Sequence, residues 1–341
     1  MWIDIPKNVL SRKIAWQPPA ARGENRAAPG PAPSREQADA IRDAILRSER
    51  PCVIAGGGII SAGAAAELRD FAEGYGIPVA TSLMGIGGFP EDHSLALRYM
   101  GMHGACAANF AVNSSDLILA LGVRFSDRST GAVAHFAPGA TIVHVDIDDS
   151  EINKNVRADL EIIADVRATL AQLNANPVRR DRASWLRQIA EWRERHPFAC
   201  RREGDELKAQ EVIREIARQT GGGAVIVPGV GQHQLWTAQF YGFSRPRQLL
   251  TSGGLGTMGF GLPAAMGAKL ALPEQTVIDI DGDGSFQMNI HELGTVAAEE
   301  IGVKMVILNN QHLGMVAQME DRFYNRRRGN TDLRMQDRPQ G

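Results

Sequence analysis

The sequence predicts an α/β chain of two doubly wound parallel-sheet domains, and three observations carry that expectation. Short apolar runs alternate with stretches of helical periodicity, the alternation halts once in a charged segment and restarts, and glycine clusters stand at the carboxyl ends of apolar runs. At 341 residues the chain exceeds the usual span of one hydrophobic core, so two cores are expected.

From the start, Trp2 to Ile5 reads as a buried strand with nothing ahead of it to pair with, which implies missing upstream sequence, and residues 1–15 are assigned to that lost element. Residues 16–33 have the Pro, Ala, Gly and mixed-charge composition of a linker. The first domain is placed at 34–173. Ser34 and Gln37 form a capping-box pattern at a helix start, and strand Pro51–Ala55 runs into Gly56-Gly57-Gly58. Helix Ala64–Tyr75, strand Pro78–Thr81, helix Ala105–Val112, strand Leu117–Leu121 and strand Thr141–Val145 follow. Residues 174–206 read as a polar connector containing one amphipathic helix, Trp185–Arg195. The second domain, 207–325, alternates helix Ala209–Gln219, strand Ala224–Pro228, helix Leu262–Lys269, strand Thr276–Ile280, helix Ile290–Glu299 and strand Lys304–Leu308. Residues 326–341 lack periodicity and are expected to be a disordered tail.

Composition excludes several classes of partner. The formal charge is -2 with both signs interspersed, so neither nucleic acid nor an anionic membrane surface is expected to bind. No run is long and apolar enough to cross a bilayer, and no targeting segment is read at the N-terminus. Cys52, Cys106 and Cys200 fit neither a disulfide framework nor a metal-ligand spacing, which favours a reducing, cytoplasmic setting.

The strongest chemical signal is Gly282-Asp283-Gly284-Ser285 after one strand, paired with Asn309-Asn310 after the next. Ligands of doubly wound sheets sit beyond the carboxyl ends of strands, so both motifs are expected to face one crevice. Glycines let backbone approach an anion, while the Asp283 carboxylate and the Asn310 amide oxygen are hard ligands suited to magnesium. Magnesium completes its octahedron with phosphate oxygens and water, so a diphosphate is the expected third party. Read alone, GDG is equally a tight turn; the paired Asn after a single intervening helix and strand argues against that.

GDG followed by a double Asn resembles the cofactor motif of thiamine diphosphate enzymes. Gly229-Val230-Gly231-Gln232-His233-Gln234-Leu235-Trp236, Thr251-Ser252-Gly253-Gly254-Leu255-Gly256-Thr257-Met258-Gly259 and Gln311-His312-Leu313-Gly314-Met315-Val316 make the chain similar to the acetolactate synthase (acetohydroxyacid synthase) catalytic subunits, over nearly residues 1–325. The resemblance implies a Rossmann-like middle domain followed by a thiamine diphosphate-binding domain. It implies that Asp283, Asn310 and the backbone carbonyl of His312 hold magnesium, and that Val230, Gly231, Gln232, His233, Gly284 and Ser285 cradle the diphosphate. Gly256 and Met258 are implied to contact the pyrimidine, Met258 as the apolar wedge that keeps the cofactor folded. In the first domain it implies FAD contacts at Gly56, Gly101, Met102, His103, Gly104, Gly122, Val123, Arg124, Phe125, Asp146 and Ile147, with FAD in a structural rather than redox role.

The implied reaction decarboxylates pyruvate and joins the two-carbon unit to a second 2-keto acid, pyruvate or 2-ketobutyrate, in branched-chain amino acid biosynthesis. Met319 stands where many relatives have the tryptophan that favours 2-ketobutyrate. The resemblance implies a homodimer or larger assembly, open to a small regulatory subunit. It also places the glutamate that activates thiamine in an N-terminal pyrimidine-binding domain not contained in this sequence, with Trp2–Lys7 as that domain's last strand. Residues 325–341 lose the likeness. A fragment truncated at both ends, inactive alone and without a catalytic residue of its own, is therefore expected.

Other readings compete. Gly56-Gly57-Gly58-Ile59-Ile60-Ser61 departs from a dinucleotide fingerprint at its last position, so a ligand-free Rossmann-like spacer stays open. His233 is read as a polar phosphate contact, and neither it nor His312 receives a proton-transfer role. Glu292 is read as charge placed near a helix N-terminus rather than as a base. A related thiamine diphosphate decarboxylase or oxidase, and a cofactor-holding remnant without turnover, remain as alternatives.

Overall fold

The structure, a computed structural model, describes residues 6–15, 30–200 and 204–334. The strand expected at Trp2–Ile5, linker residues 16–29 and tail residues 335–341 lie outside the described residues. Residues near the start form a single short helix, α1 (Lys7–Leu10), with no buried side chain.

The first domain runs α2 (Arg35–Arg47), β1 (Pro51–Ala55), α3 (Gly57–Ser61), α4 (Ala65–Tyr75), β2 (Val79–Thr81), β3 (Ala96–Tyr99), α5 (Cys106–Ser114), β4 (Leu117–Leu121), α6 (Asp127–Thr130), β5 (Thr141–Asp146), β6 (Leu160–Ile163) and α7 (Val166–Asn174). The six strands form one parallel sheet in the order β3-β2-β1-β4-β5-β6, which reverses direction between β1 and β4, the doubly wound topology. Every residue of β1 and β4 is buried, as expected when helices cover both faces. Val53 and Ala55 face one core with Ile41, Phe71 and Leu170; Cys52 and Ile54 face the other with Val112 and Trp185. The capping box at Ser34 forms, with Gln37 N–H donating to Ser34 Oγ at 3.1 Å and Ser34 N–H to Gln37 Oε1 at 2.9 Å.

The stretch read as a connector packs in part against this domain. Helix α8 (Ala183–Arg195) buries Trp185, whose indole N–H donates to Pro51 O at 3.1 Å. Just ahead of it, Arg182 donates to Tyr75 O and Ile45 O, satisfying carbonyls at the C-terminal ends of α4 and α2.

The second domain runs α9 (Ala209–Gln219), β7 (Val225–Pro228), α10 (Gln232–Phe240), α11 (Gly261–Ala271), β8 (Val277–Gly282), α12 (Asp283–Gln287), α13 (Leu293–Ala298), β9 (Lys304–Leu308) and α14 (Gly314–Phe323). Its strands form a parallel sheet in the order β7-β8-β9, with Val225 opposite Val277 and Ile278 opposite Lys304. The helix expected over Ile290–Glu299 divides into a 3-10 turn, Ile290–Glu292, and α13. Across the break Glu292 Oε2 accepts from Thr295 Oγ1 at 3.1 Å. Residues 326–334 also differ from expectation. Glu320 accepts from Gly329 N–H and Thr331 Oγ1, and Leu313 N–H donates to Thr331 O, so this strap is tied to the second domain by partners its own composition does not advertise.

The two domains share a core. Ile86 and Tyr99 of the first are buried with Ile213, Tyr241 and Phe243 of the second. Glu91 N–H donates to Phe243 O at 3.0 Å, and Arg98 bridges Glu91 and Gln239 O.

Candidate cofactor site

Three adjacent strands of the second sheet end at one cavity of about 570 Å³. Beyond β7 the chain passes through Gly229 and Gly231 into α10; beyond β8 it enters α12 at Asp283; beyond β9 it reaches Asn309 and Asn310. The cavity wall includes Asp283, Asn310 and His312, and on its other sides Val230, Gly231, Gln232, His233, Gly284, Ser285 and Met258. Gly256 is not part of the wall; it sits in an exposed loop at φ +66°, its nearest neighbour across space being Val230.

Close approach explains two of the glycines. A Cβ on Gly229 would lie 1.8 Å from Asp281 Oδ1, and one on Gly284 would lie 2.5 Å from Leu313. Gly229 thus makes room for Asp281 behind the wall, and Gly284 keeps the wall to backbone at its own position, with the N-terminal end of α10 beside it to face an anion. Ser285 ties the wall together, its Oγ accepting from Gly259 N–H at 3.0 Å and Val230 N–H at 3.4 Å. With its lone pairs used inward, its hydroxyl hydrogen is free to point at a ligand oxygen. Gln232 is anchored by donating to Gln318 of α14 at 3.0 Å.

The Asn310 loop is closed by local bonds. Gln311 stands at φ +57°, Asn309 Oδ1 accepts from Gln311 N–H at 3.0 Å, and Asn310 Oδ1 accepts from His312 N–H at 2.9 Å. His312 pairs antiparallel with Asp332 of the strap. A carboxylate, an amide oxygen and a backbone carbonyl are all hard donors, the set magnesium takes, and too few to hold it without water and phosphate oxygens. Among the described residues no group of three His, Cys, Asp or Glu side chains is arranged around a metal position, so a softer transition-metal centre has no counterpart here. A glycine cradle beside such a donor set fits a magnesium diphosphate.

Sequence reasoning missed what lies behind the wall. Asp279 and Asp281 of β8 are fully buried, and neither oxygen of Asp279 has a hydrogen-bond partner. Burial, reinforced by the neighbouring Asp281, pushes the Asp279 carboxyl up to about 8. Two aspartates alternating along a strand otherwise suggest a solvent-facing side.

The residues expected to meet FAD divide by exposure. Gly56 and Gly122 end β1 and β4 at the point where strand order reverses, and they touch: a Cβ on Gly56 would lie 1.9 Å from Gly122 O. Gly101, Met102, His103 and Gly104 follow β3, with Met102 about half exposed. Arg124 and Ile147 are exposed, whereas Val123, Phe125 and Asp146 are buried. Phe125 stacks edge-on against Phe136 and His144, so only backbone at that position can reach a ligand. Burial, then Arg322 of α14 and Arg128, push the His103 imidazole below its ordinary value, which sets this loop beside the second domain. Met319 is half-buried on α14, one turn beyond the cavity-lining Met315.

Comparison with known proteins gives two family matches: "Thiamine pyrophosphate enzyme, central domain" at residues 38–173 and "Thiamine pyrophosphate enzyme, C-terminal TPP binding domain" at residues 229–340. The second match continues through residues 325–340, which on motifs alone fall outside the likeness. The chain is 44% identical over 339 residues to acetolactate synthase 1, chloroplastic, of Nicotiana tabacum, covering 97% of this chain and 50% of that protein. It is 46% identical over 340 residues to acetolactate synthase 1, chloroplastic, of Zea mays, covering 97% and 53%. Against acetolactate synthase, chloroplastic, of Arabidopsis thaliana the figures are 44% over 340 residues, 97% and 50%. The chain thus spans about half the length of these curated relatives.

Proposed function

This chain belongs to the thiamine pyrophosphate enzymes, and from that premise we propose that it supplies the magnesium- and diphosphate-binding half of an acetolactate synthase catalytic subunit. One observation carries the reading: three neighbouring strand ends bring Asp283, Asn310 and His312 to the same cavity as a glycine cradle. In this reading those three groups hold magnesium. Gly231, Gln232, His233, Gly284 and Ser285 receive the diphosphate, and Met258 supports the pyrimidine end.

Thiamine diphosphate, when bound, supplies the electron sink for decarboxylating a 2-keto acid and joining the remaining two-carbon unit to another. The chain's own part is to anchor and orient: backbone amides and the Ser285 hydroxyl face the phosphates, and α14 closes one side through Gln232 and Gln318. The crevice at Gly56 and Gly122 is assigned to FAD as a structural ligand. Pyruvate and 2-ketobutyrate are the proposed substrates, a homodimer or larger assembly with room for a small regulatory subunit the proposed setting. Among the described residues no helix is long and apolar enough to cross a membrane. The cytoplasmic location expected from the sequence stays part of the proposal, while the named relatives are chloroplastic.

No residue here is assigned the role of the acid that activates the pyrimidine, so binding is the first readout. Thermal unfolding with thiamine diphosphate at about 100 times its dissociation constant should show a stabilisation of about 2.7 kcal/mol, dependent on magnesium. An unchanged melting temperature sinks the reading. Supplying the pyrimidine-binding domain as a separate chain and assaying products then separates acetolactate formation from the acetaldehyde or acetate of a decarboxylase or oxidase.

A further inference from the structure

A buried polar chain runs from beneath α11 to the cavity wall. Asp279 and Asp281 alternate along β8 and both meet the first turn of α11: a Cβ on Gly261 would lie 2.4 Å from Asp279 Oδ1 and 2.8 Å from Asp281 Oδ2. Asp281 Oδ1 accepts the Gly282 N–H at 2.8 Å and lies 3.1 Å from His233 Nε2. The side chains are 1% and 8% exposed, so water does not compete for this contact. The nitrogen is itself completely buried and makes no full hydrogen bond among the described residues, so this contact is its polar neighbour. On the far edge of the ring, Nδ1 and Cε1 press against Gly231 and Gly282, where a Cβ would sit 2.8 to 3.0 Å away. His233 is thus clamped between a carboxylate and two glycine backbones of the cavity wall.

We infer that Asp281 is a positioning residue, which holds the Nε2 side of the His233 imidazole inward so that the ring is already oriented when a diphosphate enters. A buried polar nitrogen needs an acceptor, and Asp281 is the acceptor at hand. Burial pushes the neighbouring Asp279 carboxyl up to about 8, so Asp279 adds little charge beside this contact at neutral pH. The role rests on the diphosphate reading of the cavity only for its effect on binding; the orientation of the ring belongs to the unliganded chain.

Two measurements test it. Calorimetric titration of thiamine diphosphate in magnesium buffer should show about tenfold weaker binding for Asp281→Asn, the loss expected when a buried polar nitrogen is deprived of the acceptor at hand. In a His233→Ala background the same substitution should change affinity less than about twofold, because a residue acting only through His233 has nothing left to position. Wild-type affinity in Asp281→Asn, or losses that multiply in the double variant, overturn the inference. Nitrogen-detected NMR of the unliganded wild-type chain should place the His233 hydrogen on Nε2, facing Asp281. A hydrogen on Nδ1 alone overturns the inference too, and this readout needs no variant to fold. If the wild-type chain binds no thiamine diphosphate, the proposed function fails while the tautomer still decides the role of Asp281.

Discussion

The two strand-end crevices of this chain follow one topological rule and are made of different materials. Between β1 and β4 the surface is uncharged backbone, with Gly56, Gly58 and Gly122 packed so closely that none tolerates a Cβ. Beyond β7, β8 and β9 the glycines serve instead to admit polar side chains, with Asp281 behind the wall and His233 and Asp283 on it. Close backbone packing there admits an extended ligand by shape. An anion paired with a cation needs placed charges, and the second sheet accepts the cost of burying them.

The contrast can be broken most severely on the backbone side. Gly122→Val puts a β-branched residue at φ +59° with its Cβ 2.6 Å from the Gly58 Cα, and should cost about 4 kcal/mol or more by urea unfolding. Gly63→Ala shares the positive φ, at +64°, with nothing within 4 Å, and should cost only about 1 kcal/mol. Equal losses would mean that backbone conformation, and not close approach, sets the demand for glycine in the first crevice.

On the charged side, Asp283→Ala should weaken magnesium-dependent binding of thiamine diphosphate by at least about 100-fold, since outer-shell changes at metal sites already cost 10- to 100-fold. Binding of FAD, followed by its fluorescence, should be unchanged; a matching loss would show that the crevices are not separable. A smaller effect concerns pH. Folded Asp279 titrates near 8 against an ordinary value of 3.8, so between those values the native chain holds a proton that the unfolded chain has released. Stability therefore falls as pH rises through that window. Asp279→Asn should flatten the decline by on the order of 3 to 4 kcal/mol between pH 5 and pH 8. An unaltered slope would remove Asp279 as its source.

Legibility in the sequence followed burial on both faces. Strands β1 and β4 read correctly because double-sided burial leaves a short uninterrupted apolar run bounded by turn residues. β3 and β6 escaped notice: β3 carries Arg98 at φ +68°, and β6 exposes Glu161 and Ile163 at the sheet edge. The meeting of GDG with the Asn pair was legible because strand ends of a parallel sheet converge. The Asp281–His233 contact was not, since nothing in Val277-Ile278-Asp279-Ile280-Asp281 announces that α11 covers the aspartates.

The antiparallel pairing of His312 with Asp332 has a dynamic consequence. Leu313 N–H donates to Thr331 O and Leu333 N–H to Gln311 O, so these two amides close over the loop that presents the Asn310 and His312 oxygens. Opening that short ladder releases the loop's geometry. A ligand that grips the loop must therefore suppress the opening, and solvent exchange at those amides becomes a local gauge of occupancy, sensitive where global unfolding is not.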